Sequence, residues 1–219
     1  MVLSHLILNG MVKVKGQIYE MAKCVEDPDI RIADLAKLFF SELSTKDNAV
    51  YNNLPDIISG LSNPTTGVDQ QTFNTIMKFL FSFISKEKQT ENLVEKLCQR
   101  FKGTNELRQW RDISFCLSML NCSAEKSIKK LVENIPLYQE ALNDPEVFKH
   151  FTEVLSKARK FQKAELKTLL DDYEKKIQDI HEKGITDPDA AAAAPVAATK
   201  TATKRGILLL FFSVWWAAF

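Results

Sequence analysis

An apolar stripe at helical spacing recurs along this chain and constrains its fold more than any other feature. In "DPDIRIADLAKLFFSEL", Ile32, Leu35, Ala36, Phe39, Phe40 and Leu43 fall at i, i+3, i+4, i+7, i+8 and i+11. That spacing is one face of an α-helix. "TFNTIMKFLFSFI" reproduces the offsets with Phe73, Ile76, Met77, Leu80, Phe81 and Ile84. "PEVFKHFTEVLSKA" does so with Val147, Phe148, Phe151, Val154, Leu155 and Ala158. "ELRQWRDISFCLSML" carries a narrower version: Trp110, Ile113, Leu117 and Leu120. A single helix this apolar cannot stand alone in water, so each must pack on a neighbour.

A second set of helices alternates with the first. Its faces are Val14, Ile18, Met21, Ala22 and Val25; Val50, Leu54, Ile57, Ile58 and Leu61; Leu93, Val94, Leu97 and Phe101; and Ile128, Leu131, Val132 and Ile135. A last helix carries Leu166, Leu169, Leu170, Tyr173, Ile177 and Ile180. No segment sustains a period of two, so no strand is expected. Turn chemistry at Asp27-Pro28-Asp29, Asn63-Pro64, Gly103-Thr104-Asn105 and Asn143-Asp144-Pro145 precedes each member of the first set. Asp and Asn cap helix N-termini and proline is tolerated in the first turn. These turns recur every 36 to 40 residues, close to the period of HEAT-type helical pairs. The fold class expected is therefore all-α: a HEAT-like α-solenoid of stacked helical hairpins over residues 1–184. "LSHLILN" reads as the end of a helix, so the chain begins inside a hairpin and looks like a piece of a longer array.

Beyond Gly184 the pattern stops. Residues 185–206 are rich in Ala and Thr and read as a low-complexity linker or disorder. Residues 207–219, "ILLLFFSVWWAAF", are 13 uncharged residues. A membrane-spanning helix needs about 17 to 25, and there is no polar face for a surface helix. This segment reads as an artefactual, alternative C-terminus. A short tail anchor is the competing reading.

Charge excludes little by itself: 29 basic residues face 28 acidic ones. Electrostatic function must come from local clusters. Cys24, Cys98, Cys116 and Cys122 form no CxxC pair, and His5, His150 and His181 lie far from them in sequence. That spacing does not suit zinc, and the thiols read as reduced and mostly buried in a cytosolic or nuclear protein. No signal-peptide pattern opens the chain. No GxSxG, P-loop, GxGxxG or HExxH motif is present, so no catalytic residue, cofactor site or metal site is expected. Asp171-Asp172 reads as a solvated helix surface.

The candidate functional residues are basic. Lys13 and Lys15 bracket Val14; Arg100 and Lys102 end one helix, and Arg108 and Arg111 begin the next. Lys126, Lys129 and Lys130 follow on a later helix. "SKARKFQKAELK" gathers Lys157, Arg159, Lys160, Lys163 and Lys167 with one acid, Glu165. Equivalent positions of successive repeats line one edge of a solenoid, and such a row could track a phosphate backbone. The opposing reading is ordinary solvated charge.

Long strings narrow the choice further. "LSHLILNGMVKVKGQIYEMAKCVEDPD", "LAKLFFSELSTKDNAVYNNLPDIISGLS" and "TIMKFLFSFISKEKQTENLVEKLCQRF" closely resemble the C-terminal HEAT region of the family of HEAT-repeat regulatory subunits of condensin I. The resemblance covers about residues 3 to 183. It implies a non-catalytic role in mitotic chromosome condensation, a kleisin and a pair of SMC ATPases as partners, and contacts with chromatin or double-stranded DNA. It also implies residence in the nucleus and on chromosomes, with a cytoplasmic phase in part of the cell cycle. Family members carry proline-directed phosphorylation sites in a polar tail, whereas this chain has no Ser-Pro or Thr-Pro. A general protein-interaction solenoid without DNA binding is the alternative reading, with or without tail anchoring.

Overall fold

The structure, a computed structural model, describes residues 17–186 apart from positions 47, 123 and 161–163. Among these residues every regular element is helical. α1 (Ile18–Lys23) runs into a 3-10 turn, Cys24–Glu26, and is followed by α2 (Ile30–Ser44), α3 (Ala49–Leu61) and α4 (Gln70–Phe81). α5 (Glu87–Phe101), α6 (Leu107–Met119), α7 (Glu125–Glu133) and the short α8 (Ile135–Tyr138) come next. A second 3-10 turn, Ala141–Asn143, leads into α9 (Pro145–Arg159), and α10 (Ala164–Thr186) ends the described chain. The expectations for the start of the first helix, for the linker and for residues 207–219 lie outside the described residues.

The helices pair in sequence order and stack in two rows. α1, α3, α5, α7 and α10 form the first row, each packed on the next. In the second row α4 packs on α6 and α6 on α9. α2 packs on α3 and on the Cys24–Glu26 turn. This is the expected solenoid of helical hairpins, in which each repeat buries its face on its neighbours. No helix among the described residues is long and apolar enough to cross a membrane.

The turn residues act as helix caps. The Asp29 carboxylate accepts from the Arg31 amide at 2.9 Å, Asp69 from Thr72 at 3.0 Å, and Asp144 from Glu146 and Val147, both at 3.1 Å. Each removes an orphan donor from the first turn of its helix. The cap of α4 is thus Asp69, whereas Asn63 organises its own turn by accepting from the Thr65 and Thr66 amides. Glu106, the N-cap residue of α6, makes no side-chain cap bond. The Thr104 hydroxyl accepts from the Glu106 amide just ahead of it.

One continuous core runs through both rows. Its aromatic centre stacks Tyr138 on Phe151, with ring centroids 4.5 Å apart, and brings Phe101 against both. The Tyr138 hydroxyl donates to the Leu131 carbonyl at 2.7 Å and lies 2.9 Å from the Tyr173 hydroxyl. Buried phenols need such partners. Gly60 lets α3 close on α1, because a Cβ there would stand 2.4 Å from the Tyr19 ring. Cys98, Cys116 and Cys122 are buried free thiols and Cys24 is half-buried, also free. Burial raises the pKa of all four, that of Cys122 to about 12.

One stripe is narrower than its spacing suggests. α2 buries Ala33, Ala36, Phe39, Phe40 and Leu43. Ile32 and Leu35, expected on that face, remain 43% and 42% exposed. Both lie in the first two turns of the helix, where no described element covers them, and Ala33 is buried instead.

Candidate nucleic-acid and partner interface

Polar side chains cross the seams between repeats at a regular interval. Their partners are 33 to 44 residues away in sequence, about one repeat. The period read from the turns therefore returns as a period in the bonds that hold successive hairpins together.

Most of the basic candidates belong to these seams. Arg100 on α5 reaches α3, donating to Asp56 at 3.0 Å and to the Ser59 hydroxyl at 2.8 Å. Arg108 on α6 donates to Asp112 at 2.9 Å and to the Val68 carbonyl, before α4, at 2.9 Å. Asp112 is fully buried and accepts also from Gln70 of α4 at 2.7 Å. Burial pushes its carboxyl above the usual carboxylate value, against the pull of Arg108 and Gln70. Arg111 grips Asp144 through two parallel bonds of 3.0 and 2.7 Å and touches Glu146 at 3.1 Å. Such forked pairs fix geometry as well as charge. Burial pushes the Asp144 carboxyl up, but Arg111 and the Val147 and Glu146 amides outweigh it and hold it below the usual value.

The lysines divide. Lys130 joins α7 to Glu95 of α5, with Glu91 at 4.0 Å. Lys129 pairs within its own helix with Glu125 at 2.6 Å. Lys157 donates to the Ser118 carbonyl, tying α9 to α6. Arg159 holds Asp171 at 2.8 Å and Glu174 at 2.6 Å on α10. Asp171 is thus an ion-pair partner on a helix surface. Lys102 and Lys160 are exposed, each at the C-cap of its helix. Lys13, Lys15 and Lys163 lie outside the described residues.

Arg100 and Lys130 lie on first-row helices, and Arg108, Arg111 and Lys157 on second-row ones. Beside Arg100 a shallow groove of about 400 Å³ is lined by Asn52, Pro55, Asp56, Lys96, Gln99 and Arg100. The Lys96 ammonium lies 4.6 Å from the centre of the Tyr51 ring.

Sequence reading missed the polar seam between α6 and α9. Ser114 and Ser118 are buried on α6. The Ser114 hydroxyl is 2.8 Å from His150 Nδ1, and the His150 ring meets Phe115 edge-on at 5.7 Å between centroids. Burial, ahead of its charged neighbours, lowers the pKa of His150. The signal was the narrowness of the α6 stripe: Ser114 and Ser118 stand four and eight residues after Trp110, where the other stripes carry Ala36 and Phe40, Met77 and Phe81, and Phe151 and Leu155.

Comparison with known proteins follows the same helices. The family model described as non-SMC mitotic condensation complex subunit 1 matches residues 1–118. Condensin complex subunit 1 of Xenopus laevis is 50% identical over 189 residues, 86% of this chain and 14% of that protein. The Homo sapiens protein of that name is 49% identical over 185 residues, 84% of this chain and 13% of its own length. The Arabidopsis thaliana condensin-1 complex subunit CAP-D2 is 46% identical over 211 residues, 96% of this chain and 15% of that one. The chain thus spans about one seventh of the length of these relatives. With a stacked all-α architecture and a family match across more than half its length, the chain belongs to the family of non-SMC mitotic condensation complex subunit 1.

Proposed function

We propose that this chain is a non-catalytic scaffold segment that acts within a condensin-type complex in mitotic chromosome condensation. Its partners are a kleisin and the SMC subunits, and its setting is the nucleus and chromosomes, with a cytoplasmic phase in part of the cell cycle. The observation that carries this reading is identity of about one half to condensin subunit 1 proteins along a solenoid of stacked hairpins. A solenoid presents a long ladder of side chains to a partner without needing a reactive centre.

Contact with chromatin or double-stranded DNA is the finer part of the proposal. Phosphate would be met first by Lys102 and Lys160, whose ammonium groups are exposed. Arg100, Arg108, Arg111, Lys130 and Arg159 already satisfy carboxylates, so a phosphate must displace those partners. That pairing favours a second reading, a protein-interaction scaffold that does not bind DNA. Fluorescence anisotropy of the chain with a short duplex across a salt series separates the two. DNA contact gives an affinity that falls linearly in log salt, with a slope reduced by Lys102→Glu and Lys160→Glu. Absence of binding at low salt, with circular dichroism showing folded protein, supports the second reading. Capture of purified kleisin or SMC subunits tests the scaffold role itself.

A further inference from the structure

The shallow groove between α3 and α5 holds a positioned cation that no carboxylate pairs among the described residues. Asp56 on one wall is held by Arg100 on the other at 3.0 Å, and Arg100 also donates to Ser59 at 2.8 Å. That pair neutralises itself. Lys96 adds one exposed positive charge to the lining. The residues three and four places away on its own helix are Asn92, Leu93, Gln99 and Arg100, so no carboxylate reaches it along α5. Its ammonium lies instead against the buried Tyr51 ring, 4.6 Å from the centroid.

The rest of the lining is donor and acceptor together. Asn52 and Gln99 present exposed amides from opposite walls. Pro55 stands inside α3 and supplies no N–H, so the Tyr51 carbonyl one turn earlier lacks its helical donor. The Asp56 carboxylate keeps acceptor capacity beyond its bond to Arg100. A ligand that fits must bring a negative charge for Lys96 and N–H donors for these oxygens. A phosphodiester backbone brings acceptors only. A peptide with an acidic side chain brings both, since each residue other than proline carries one N–H and one C=O.

We infer that this groove receives an extended acidic segment of a partner protein, a carboxylate resting on the Lys96 ammonium and the peptide backbone between the Asn52 and Gln99 amides. The volume of about 400 Å³ suits a short stretch of chain, so the contact is a weak one. The inference rests on the scaffold reading for the presence of a partner and adds that partner's chemistry.

Fluorescence anisotropy of the full chain with a labelled peptide of alternating serine and glutamate tests it, with the serine–glutamine peptide as neutral control. The acidic peptide should bind about tenfold tighter than the neutral one, and Lys96→Gln should lose about tenfold, the loss of one charge-assisted bond. Lys78→Gln, at an exposed lysine of α4, should leave the affinity unchanged. Circular dichroism should be the same in both variants, because both lysines are exposed. In nitrogen–proton correlation spectra the side-chain amides of Asn52 and Gln99 should shift with the acidic peptide. Equal binding of the two peptides, or equal losses in Lys96→Gln and Lys78→Gln, overturns the inference. So does a short DNA duplex that shifts the same amides and displaces the peptide, which would make the groove a phosphate site. Failure of the peptide to bind while purified kleisin or SMC subunits are still captured removes the groove inference and leaves the scaffold reading. Peptide binding without that capture does the reverse.

Discussion

α2 and α9 are both fifteen-residue helices, each opened by an aspartate cap, and they differ in what stands on their preceding flank. α9 meets α6 there with Asp144, His150 and Lys157 bonded to Arg111, Ser114 and the Ser118 carbonyl. α2 meets no described helix, and its flank is aliphatic. The faces turned to the core are alike: Phe39 and Phe40 in one, Phe151 in the other, all almost wholly buried. The apolar core thus supplies the general attraction between hairpins, and the polar seam adds direction. A forked Arg111–Asp144 pair accepts one register, whereas leucine against leucine tolerates several. Partly exposed pairs add only about 0 to 1 kcal/mol each, so the specificity of the seam exceeds its contribution to stability.

The largest effect expected tests the shared part of the comparison. Phe39→Ala removes a side chain that is 2% exposed and leaves a cavity between α2 and its neighbours. A loss of about 3 to 5 kcal/mol is expected in urea unfolding. A change near zero would mean that α2 does not rest on the core through this face.

Asp144→Ala strikes the polar seam. It removes a cap that receives two backbone amides and the acceptor of both Arg111 bonds. About 2 kcal/mol is expected from the cap and the pair together. Asp144→Asn should retain much of the capping while losing the charge, so its cost is smaller. Equal losses in the two variants would assign the effect to the Arg111 charge pair alone.

The seam should also respond to pH. His150 has its pKa lowered in the folded chain, first by burial. The unfolded chain therefore binds more protons in the window between that lowered value and the ordinary value of about 6.5. The contribution of His150 is fully present above about 6.5 and is lost as pH falls toward the folded value. Melting temperatures followed downward through this window should decline in the native chain and less in His150→Gln. A decline of equal size in both would show that His150 does not link the seam to pH.

Much of this contrast could be read in advance, and the reason it stops is physical. Periodicity located the stripes of α2, α4, α6 and α9 because burial on one side is written into every third or fourth residue. The turns read before α2 and α9 marked those helix starts because Asp29 and Asp144 do the local work of capping, whereas Asn63 marked only a turn and the cap of α4 is Asp69, six residues later. The repeat length followed from both. What periodicity does not encode is which neighbour covers which flank, and so Ile32 and Leu35 were placed inward. Charge was harder still. Arg100, Arg111 and Arg159 look identical to free cations in a sequence, because Asp56, Asp144 and Asp171 reach them only after the chain has folded back. The α6–α9 seam had one visible trace, the two serines within the α6 stripe, and its meaning depended on a histidine 36 residues away.

The smallest effect expected lies on the bare flank of α2. Leu35 sits only four residues from Phe39 on the same helix, yet it is 42% exposed where Phe39 is 2%. Leu35→Ala should therefore change stability by no more than about 0.5 kcal/mol when unfolding is measured at high dilution. Much of its apolar surface is already in water, and alanine favours the helix at least as well as leucine. A dilute cost comparable to that of Phe39→Ala would instead mean that this flank is already packed within the single chain, and the distinction between the two helices would disappear.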